Sequence, residues 1–323
     1  MTAPNHTVIM TGASRGLGRR AAACLLRDYP DLHLLLTVRG RASDAGRLAA
    51  GLAVETGNAN VSALPCDLSS FADVRTAAGE ARRRLAGGDL PPLIGFVGNA
   101  GIQMTSATRA TVDGFETTFA VNVLAPCLLV RLLLDSFAPF GRVVLVGSDV
   151  HFGDARHNLG MVPAPCWQPS DQLAEPGTGP AADTVRAGRR AYATSKLGVI
   201  YLVHALARRL PPGIDVYSYN PGLVPGTGLT RDAGPATRLA ARTVLHAARA
   251  TPFATGPERA GRLLARAAAG PRPGGTGAYL DRGRPTRSSP ESYDEGREEE
   301  LWATAARLCG LPAEVADTGR RAC

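Results

Sequence analysis

The sequence predicts an α/β fold, an open doubly wound parallel sheet with helices on both faces. Three observations point there. Short apolar runs of strand length alternate with longer helical patterns along the chain, the order that builds βαβ units. The first run leads into a glycine-rich turn that opens a helix, and later runs end in small or polar residues. With 323 residues, 45% hydrophobic and 20% charged, the chain is long enough to bury one large core, so a single domain over 1–323 is expected.

Taken in order, residues 6–11 (His-Thr-Val-Ile-Met-Thr) read as the first strand, followed by Gly12-Ala-Ser-Arg-Gly16-Leu-Gly18 and a helical run over 19–27. Glycines let backbone approach a pyrophosphate, and the helix N-terminus adds N–H groups and a positive dipole end. Gly12, Ser14, Arg15, Gly16, Leu17 and Gly18 are therefore candidate cofactor contacts. The second strand, 32–38, ends at Arg39. An acid here would hold the ribose 2′-hydroxyl of NAD, whereas arginine accommodates the 2′-phosphate of NADP. Arg39, with Arg15 in the turn, favours NADPH/NADP+.

A third strand, 61–65, leads into Cys66-Asp67-Leu68. Asp67 has two readings, an adenine partner beside Leu68 or a helix cap. A fourth, 93–98, runs into Asn99, Ala100 and Gly101, where small residues leave room for ribose and Asn99 can stabilise the turn. Residues 142–147 form a further strand that ends at Ser148, and 214–219 another that ends in Asn220-Pro221-Gly222. Both ends lie at the carboxyl edge, where open α/β sheets bind ligands. Pro221 and Gly222 are candidates to line the nicotinamide pocket, and Val224 and Thr227 to contact the carboxamide or a phosphate.

Lys196 is the only lysine of the chain and follows Tyr192 by four residues. That spacing puts both on one helix face. A neighbouring cation favours phenolate, which predicts a lowered tyrosine pKa and a usable general acid/base.

TGASRGLG, CDL, NAG, the asparagine of AVNV, the serine after VVLVG, YATSK and NPG occur here in the order of the short-chain dehydrogenases/reductases. The chain resembles that family over about residues 7–227, and most of all its retinol-dehydrogenase and protochlorophyllide-reductase-like branch. The resemblance implies a Rossmann-type sheet of seven parallel strands. It also implies a catalytic set of Asn122, Ser148, Tyr192 and Lys196. In that set Tyr192 gives a proton to the substrate oxygen, Ser148 holds that oxygen, and Lys196 lowers the tyrosine pKa and holds the nicotinamide ribose. Asn122 keeps a helix open for a water.

The 43 residues 149–191 form a long insertion expected to act as a lid. His151 and His157 are placed near its pocket mouth, and Cys166 is a candidate by location alone. Residues 236–249 and 257–269 show helical spacing and are expected to form a substrate cap over 228–270. Residues 277–281 read as the last strand, 291–308 as a helix that packs on the core, and 284–323 as that helix with its tail.

A net charge of +8 raises the question of nucleic acid, but the arginines are scattered and aromatics are only 5%. Neither nucleic acid nor a metal site is expected. The six cysteines show no Cys-x-x-Cys pair, and with no signal peptide the expected location is cytoplasmic. No apolar run of the roughly 18 residues a membrane span requires is read, so no integral membrane segment is expected. A homodimer or homotetramer is the family's habit, and the tail could block one of the usual interfaces. The resulting expectation is an NADPH-dependent reductase or dehydrogenase acting on a carbonyl or alcohol of a bulky, largely apolar small molecule, with a place in specialised metabolism. A C=C reductase and a non-catalytic NADP-binding regulator are the alternatives.

Overall fold

In the computed structural model, which describes residues 3–158, 160–224 and 254–314, strand β1 (His6–Thr11) pairs in parallel with both β2 (Leu32–Val38) and β4 (Leu93–Gly98). From this centre the sheet extends to β3 (Val61–Pro65) on one side. On the other side lie β5 (Phe137–Val146), β6 (Asp215–Asn220) and β7 (Tyr279–Asp281). The order is β3-β2-β1-β4-β5-β6-β7-β8, parallel as far as β7. The eighth strand, β8 (Arg284–Thr286), runs antiparallel to β7 and was not expected. Arg282 and Gly283, both at positive φ (49° and 82°), turn the chain between them, the conformation a tight two-residue hairpin requires.

Alternation within the strands explains the layers. Val8 and Met10 point to one face and Ile9 to the other, as do Leu34 and Leu36 against Leu35, and Val144 and Val146 against Val143 and Leu145. Because side chains of successive strand residues take opposite faces, these continuous apolar runs need helices on both sides. One face is covered by α1 (Gly16–Asp28) and α2 (Ala42–Thr56). The other is covered by α3 (Phe71–Ala86), α4 (Ala125–Leu133) and α5 (Val185–Ala207).

Several expectations are corrected. The helix α6 (Pro257–Ala269), expected in a substrate cap, packs on α1. Ala260, Leu264 and Ala268 enter the α1-side core, and a Cβ on Gly261 would collide with the backbone of Arg20 and Ala21. The expected helix at 236–249, Thr227 and the end of the tail lie outside the described residues. The predicted helix over 291–308 splits into a 3-10 turn, Pro290–Tyr293, and α7 (Glu295–Leu308). Thr117–Ser136 is long and apolar enough to cross a membrane by length and composition, where no such run was read. Most of it is buried inside the protein, where Leu128, Leu129 and Val130 form core.

Among the described residues, the expected insertion at 149–191 holds three short helical turns, Asp149–Phe152, Ala155–Asn158 and Ser170–Ala174, and its residues 185–191 are the start of α5. It is pinned to the body: Trp167 meets the ring of Tyr201 edge-on at 4.7 Å, and Ser170 donates its hydroxyl to Glu300 at 2.6 Å.

Candidate active site

The glycine turn and the polar strand ends come together at the carboxyl edge of the sheet. Gly12 and Gly16 sit at positive φ (71° and 55°), a region that glycine enters without Cβ strain. Asn99 Nδ2 donates to the carbonyls of Thr11 and Gly12 at 3.1 and 2.9 Å, and Ala100 N–H donates to Thr11 Oγ1 at 2.9 Å. Asn99 thus stabilises the turn, as expected. A Cβ on Gly18 would run into the Gly12 carbonyl and that same Asn99 amide. No side chain caps α1, and its first turn holds no acid, so its dipole end suits an anion. Ser14 and Arg15 are exposed on the turn while Leu17 is buried beneath it. Arg39, at the end of β2, is also exposed. Among the described residues no carboxylate pairs with either Arg15 or Arg39, whereas Arg19 and Arg27 both pair with Glu55. This donor set fits a phosphate-bearing dinucleotide.

Asp67 Oδ1 accepts from the N–H and hydroxyl of Ser69 at 3.0 and 2.7 Å, closing a turn. The cap of α3 is instead Ser70, which accepts from Asp73 N–H. Leu68 is buried beside it.

The expected catalytic set also converges. The Ser148 hydroxyl, just past the end of β5, neighbours the Tyr192 phenol and favours its charged form. Lys196 Nζ lies 5.7 Å from the Tyr192 ring centroid and donates to the Val146 carbonyl at 2.8 Å. Burial pulls the Lys196 ammonium down to about 8. The expected lowering of the tyrosine is corrected: burial pushes the phenol up to about 12, and only the Ser148 hydrogen bond opposes it. Desolvation of the charged form outweighs what one hydroxyl returns.

Asn122 sits in a π-helical turn, Ala120–Leu124. Its Oδ1 accepts from Ile102 N–H, and its Nδ2 donates to the Ile102 carbonyl and to Ser195 Oγ, each at 2.9 Å. Ser195 Oγ in turn donates to the Tyr192 carbonyl at 2.7 Å. A Cβ on Gly101 would fall in contact with both Asn122 Oδ1 and Lys196 Nζ, so Gly101, Asn122 and Lys196 are direct neighbours.

On the far side, Gly222 N–H donates to Asn220 Oδ1 at 3.1 Å, with Pro221 half-buried and Val224 buried. What holds this turn comes from residues distant in sequence. Asn220 Nδ2 donates to Asp149 Oδ1 at 2.5 Å and to Asp281 Oδ1 at 3.0 Å, and Tyr279 donates to Asp149 at 3.2 Å. Cys166 is exposed, and its N–H donates to Thr194 Oγ1 at 3.0 Å. His157 stacks on Phe152 at 3.8 Å and bonds Asp154.

The sequence profile of the short chain dehydrogenases matches residues 6–157. Polyprenol dehydrogenase of Mus musculus is 32% identical over 318 residues, covering 95% of this chain and 84% of the relative. The chain belongs to the short-chain dehydrogenase family. Within it, retinol dehydrogenase 13 of Homo sapiens is 28% identical over 332 residues, covering 97% and 87%, which places this short-chain dehydrogenase in that branch. A solved structure, blue fluorescent protein from a metagenomic library in complex with NADPH, shares the fold. Its TM-score is 0.61 at 24% identity, covering 86% of this chain and 96% of that one. As a member of this family the protein is an oxidoreductase that uses a nicotinamide cofactor.

Proposed function

We propose that this short-chain dehydrogenase is NADPH-dependent and moves hydride between the nicotinamide and a carbonyl or alcohol carbon of a bulky, largely apolar small molecule. The observation that carries the reading is the Ser148–Tyr192 hydroxyl pair beside Lys196, at the strand ends that also hold the glycine turn. NADPH supplies the hydride when bound. The Tyr192 phenol, held neutral across the working range, donates its proton to the substrate oxygen as the carbonyl becomes an alcohol. Ser148 holds the same oxygen, and Lys196 stabilises the phenolate left behind while it remains an ammonium, below about pH 8. The phenolate recovers its proton from solvent. Arg15 and Arg39, without carboxylate partners among the described residues, support the 2′-phosphorylated cofactor. The relatives named for polyprenol and retinol support a long apolar substrate.

NADPH deuterated at the transferred position tests the reaction with a panel of apolar aldehydes and ketones. Deuterium on the new carbinol carbon is the expected result, and Tyr192→Phe is expected to abolish it. Deuterium on a former alkene carbon would instead establish double-bond reduction. For the cofactor, Arg39→Ala is expected to weaken NADPH binding by about 1–2 kcal/mol, the scale of a charge-assisted hydrogen bond, and to leave NADH binding nearly unchanged. Equal losses in a fluorescence titration would remove the case for the phosphorylated form.

A further inference from the structure

We propose that His151 is a positioning residue for Ser148, acting through a hydrogen bond to the C-terminal segment at Ser289. The inference rests on the reading of Ser148 and Tyr192 as the reacting pair.

Ser148 lies two residues past the end of β5, and apart from facing the Tyr192 phenol its side chain has only a long hydrogen bond, 3.5 Å, from Val150 N–H. His151, one turn later and fully buried, supplies a firmer hold. Its Nδ1 lies 2.7 Å from the Ser148 carbonyl oxygen. A carbonyl only accepts, so Nδ1 carries the hydrogen and Nε2 is bare. That bare nitrogen accepts from Ser289 N–H at 3.1 Å. Protonating the ring would set two N–H groups against each other, and burial already pulls its pKa down to about 4. One neutral tautomer therefore persists at working pH. Phe152 and Tyr279 pack the ring at centroid distances of 4.2 and 5.1 Å.

The anchor at Ser289 is itself rigid. Its carbonyl accepts from the Ser292 hydroxyl at 2.7 Å and from Ser292 N–H at 3.0 Å. Helix α5, which carries Tyr192, grips the same turn: the Tyr201 hydroxyl donates to the Glu291 carbonyl at 2.8 Å, and His204 Nδ1 lies 3.1 Å from the Ser292 carbonyl. The two hydroxyls of the site are thus referenced to one turn, Ser148 through His151 and Tyr192 through its helix. The turn at Pro290–Tyr293 sets their separation, although it lies some 140 residues from Ser148 in sequence.

Two single variants break one bond from opposite ends. Ser289 has φ −58° and a hydroxyl with no partner, so Ser289→Pro removes the N–H at a backbone angle proline already prefers. His151→Asn retains a donor for Ser148 and loses the distant acceptor. Each is expected to lower kcat by about tenfold to a hundredfold, the effect of a small misplacement at a reacting centre. KM and the NADPH dissociation constant should stay unchanged, and the double variant should be no worse than the worse single. Wild-type kcat in either single overturns the inference. So do losses that multiply in the double, or a kcat loss that comes with lost cofactor binding or lost cooperative melting, since either makes the link a general requirement of the fold. Tyr192→Phe is assayed alongside. If it turns over normally, the reacting pair itself has been misread; if it is inactive while Ser289→Pro and His151→Asn keep full kcat, only the positioning role fails.

Discussion

Burying Asp149 directly after Ser148 has a cost that depends on pH. Burial first, then the neighbouring Asp281, push its carboxyl from the ordinary 3.8 to about 6, while the Tyr279 hydrogen bond and the charges of Arg282 and His157 pull the other way. A carboxyl raised in the folded state contributes its full stability below the unfolded value and loses it as pH rises through the folded value. Asp149→Asn is isosteric and uncharged, and its carbonyl oxygen can still accept from Asn220 and Tyr279. The variant should therefore melt higher than wild type above about pH 6, by at most about 3 kcal/mol, and the gap should close toward pH 4. Thermal melts across that range check it; a gap independent of pH would mean the carboxylate is not strained by its surroundings. Ser148, Tyr192, Lys196 and Asn122 were legible in the sequence because each sits in a short local pattern. Asp149 and His151 were not assigned these ties because their partners, Tyr279 and Ser289, are more than a hundred residues away.

At the scale of elements, periodicity and turn chemistry were enough for the strands. The first four match residue for residue, since each is an apolar run bounded by glycine, proline or polar residues. Helix roles were harder to read. An amphipathic stretch looks the same whether it covers a substrate or a sheet, which is why Pro257–Ala269 was assigned to a cap and is found against α1. The π-helical turn at Ala120–Leu124 was not legible from its residues, which suit an α-helix; only the family resemblance implied an opened helix at Asn122, and what marks it is Asn122 bonding across to Ile102. The glycine turn allows a sharper test. Gly18→Ala places a methyl against the Gly12 carbonyl and Asn99, so the turn must shift. The expected outcome is a loss of about 1–3 kcal/mol in stability, typical of overpacking, together with weakened cofactor binding. A variant that melts and titrates like wild type would show that Gly12 and Asn99 do not pack against this position.

For the molecule as a whole, the decisive feature is what covers α4 and α5. Helix α7 packs on α5 and reaches the edge of α4 through Arg131 and Trp302, with Leu301, Trp302, Ala305 and the following Cys309 buried in the same core as Leu128, Leu202 and Val203. The guanidinium groups of Arg131 and Arg209 lie 4.6 and 4.8 Å from the Trp302 ring centroid, and the indole N–H donates to the Ala313 carbonyl at 2.9 Å. On the buried side of α7, Glu298 takes hydrogen bonds from Arg208 at 2.5 Å and His204 at 2.8 Å. Arg75 reaches the Cys309 carbonyl, and Arg131 those of Pro312 and Glu314 at 2.7 and 2.9 Å. A face already filled by its own chain is closed to a second copy, so association through this face is not expected of the untruncated chain. Removing residues 295–323 would uncover that face and leave apolar surface facing water, which drives self-association. Sedimentation should then show a larger species for the truncated chain than for the full one at equal concentration. Trp302→Ala should cost about 3–5 kcal/mol as a large buried aromatic, without by itself altering which cofactor is bound. Identical sedimentation of the two chains would mean that α7 does not shield α4 and α5, and would return that face to the candidates for subunit contact.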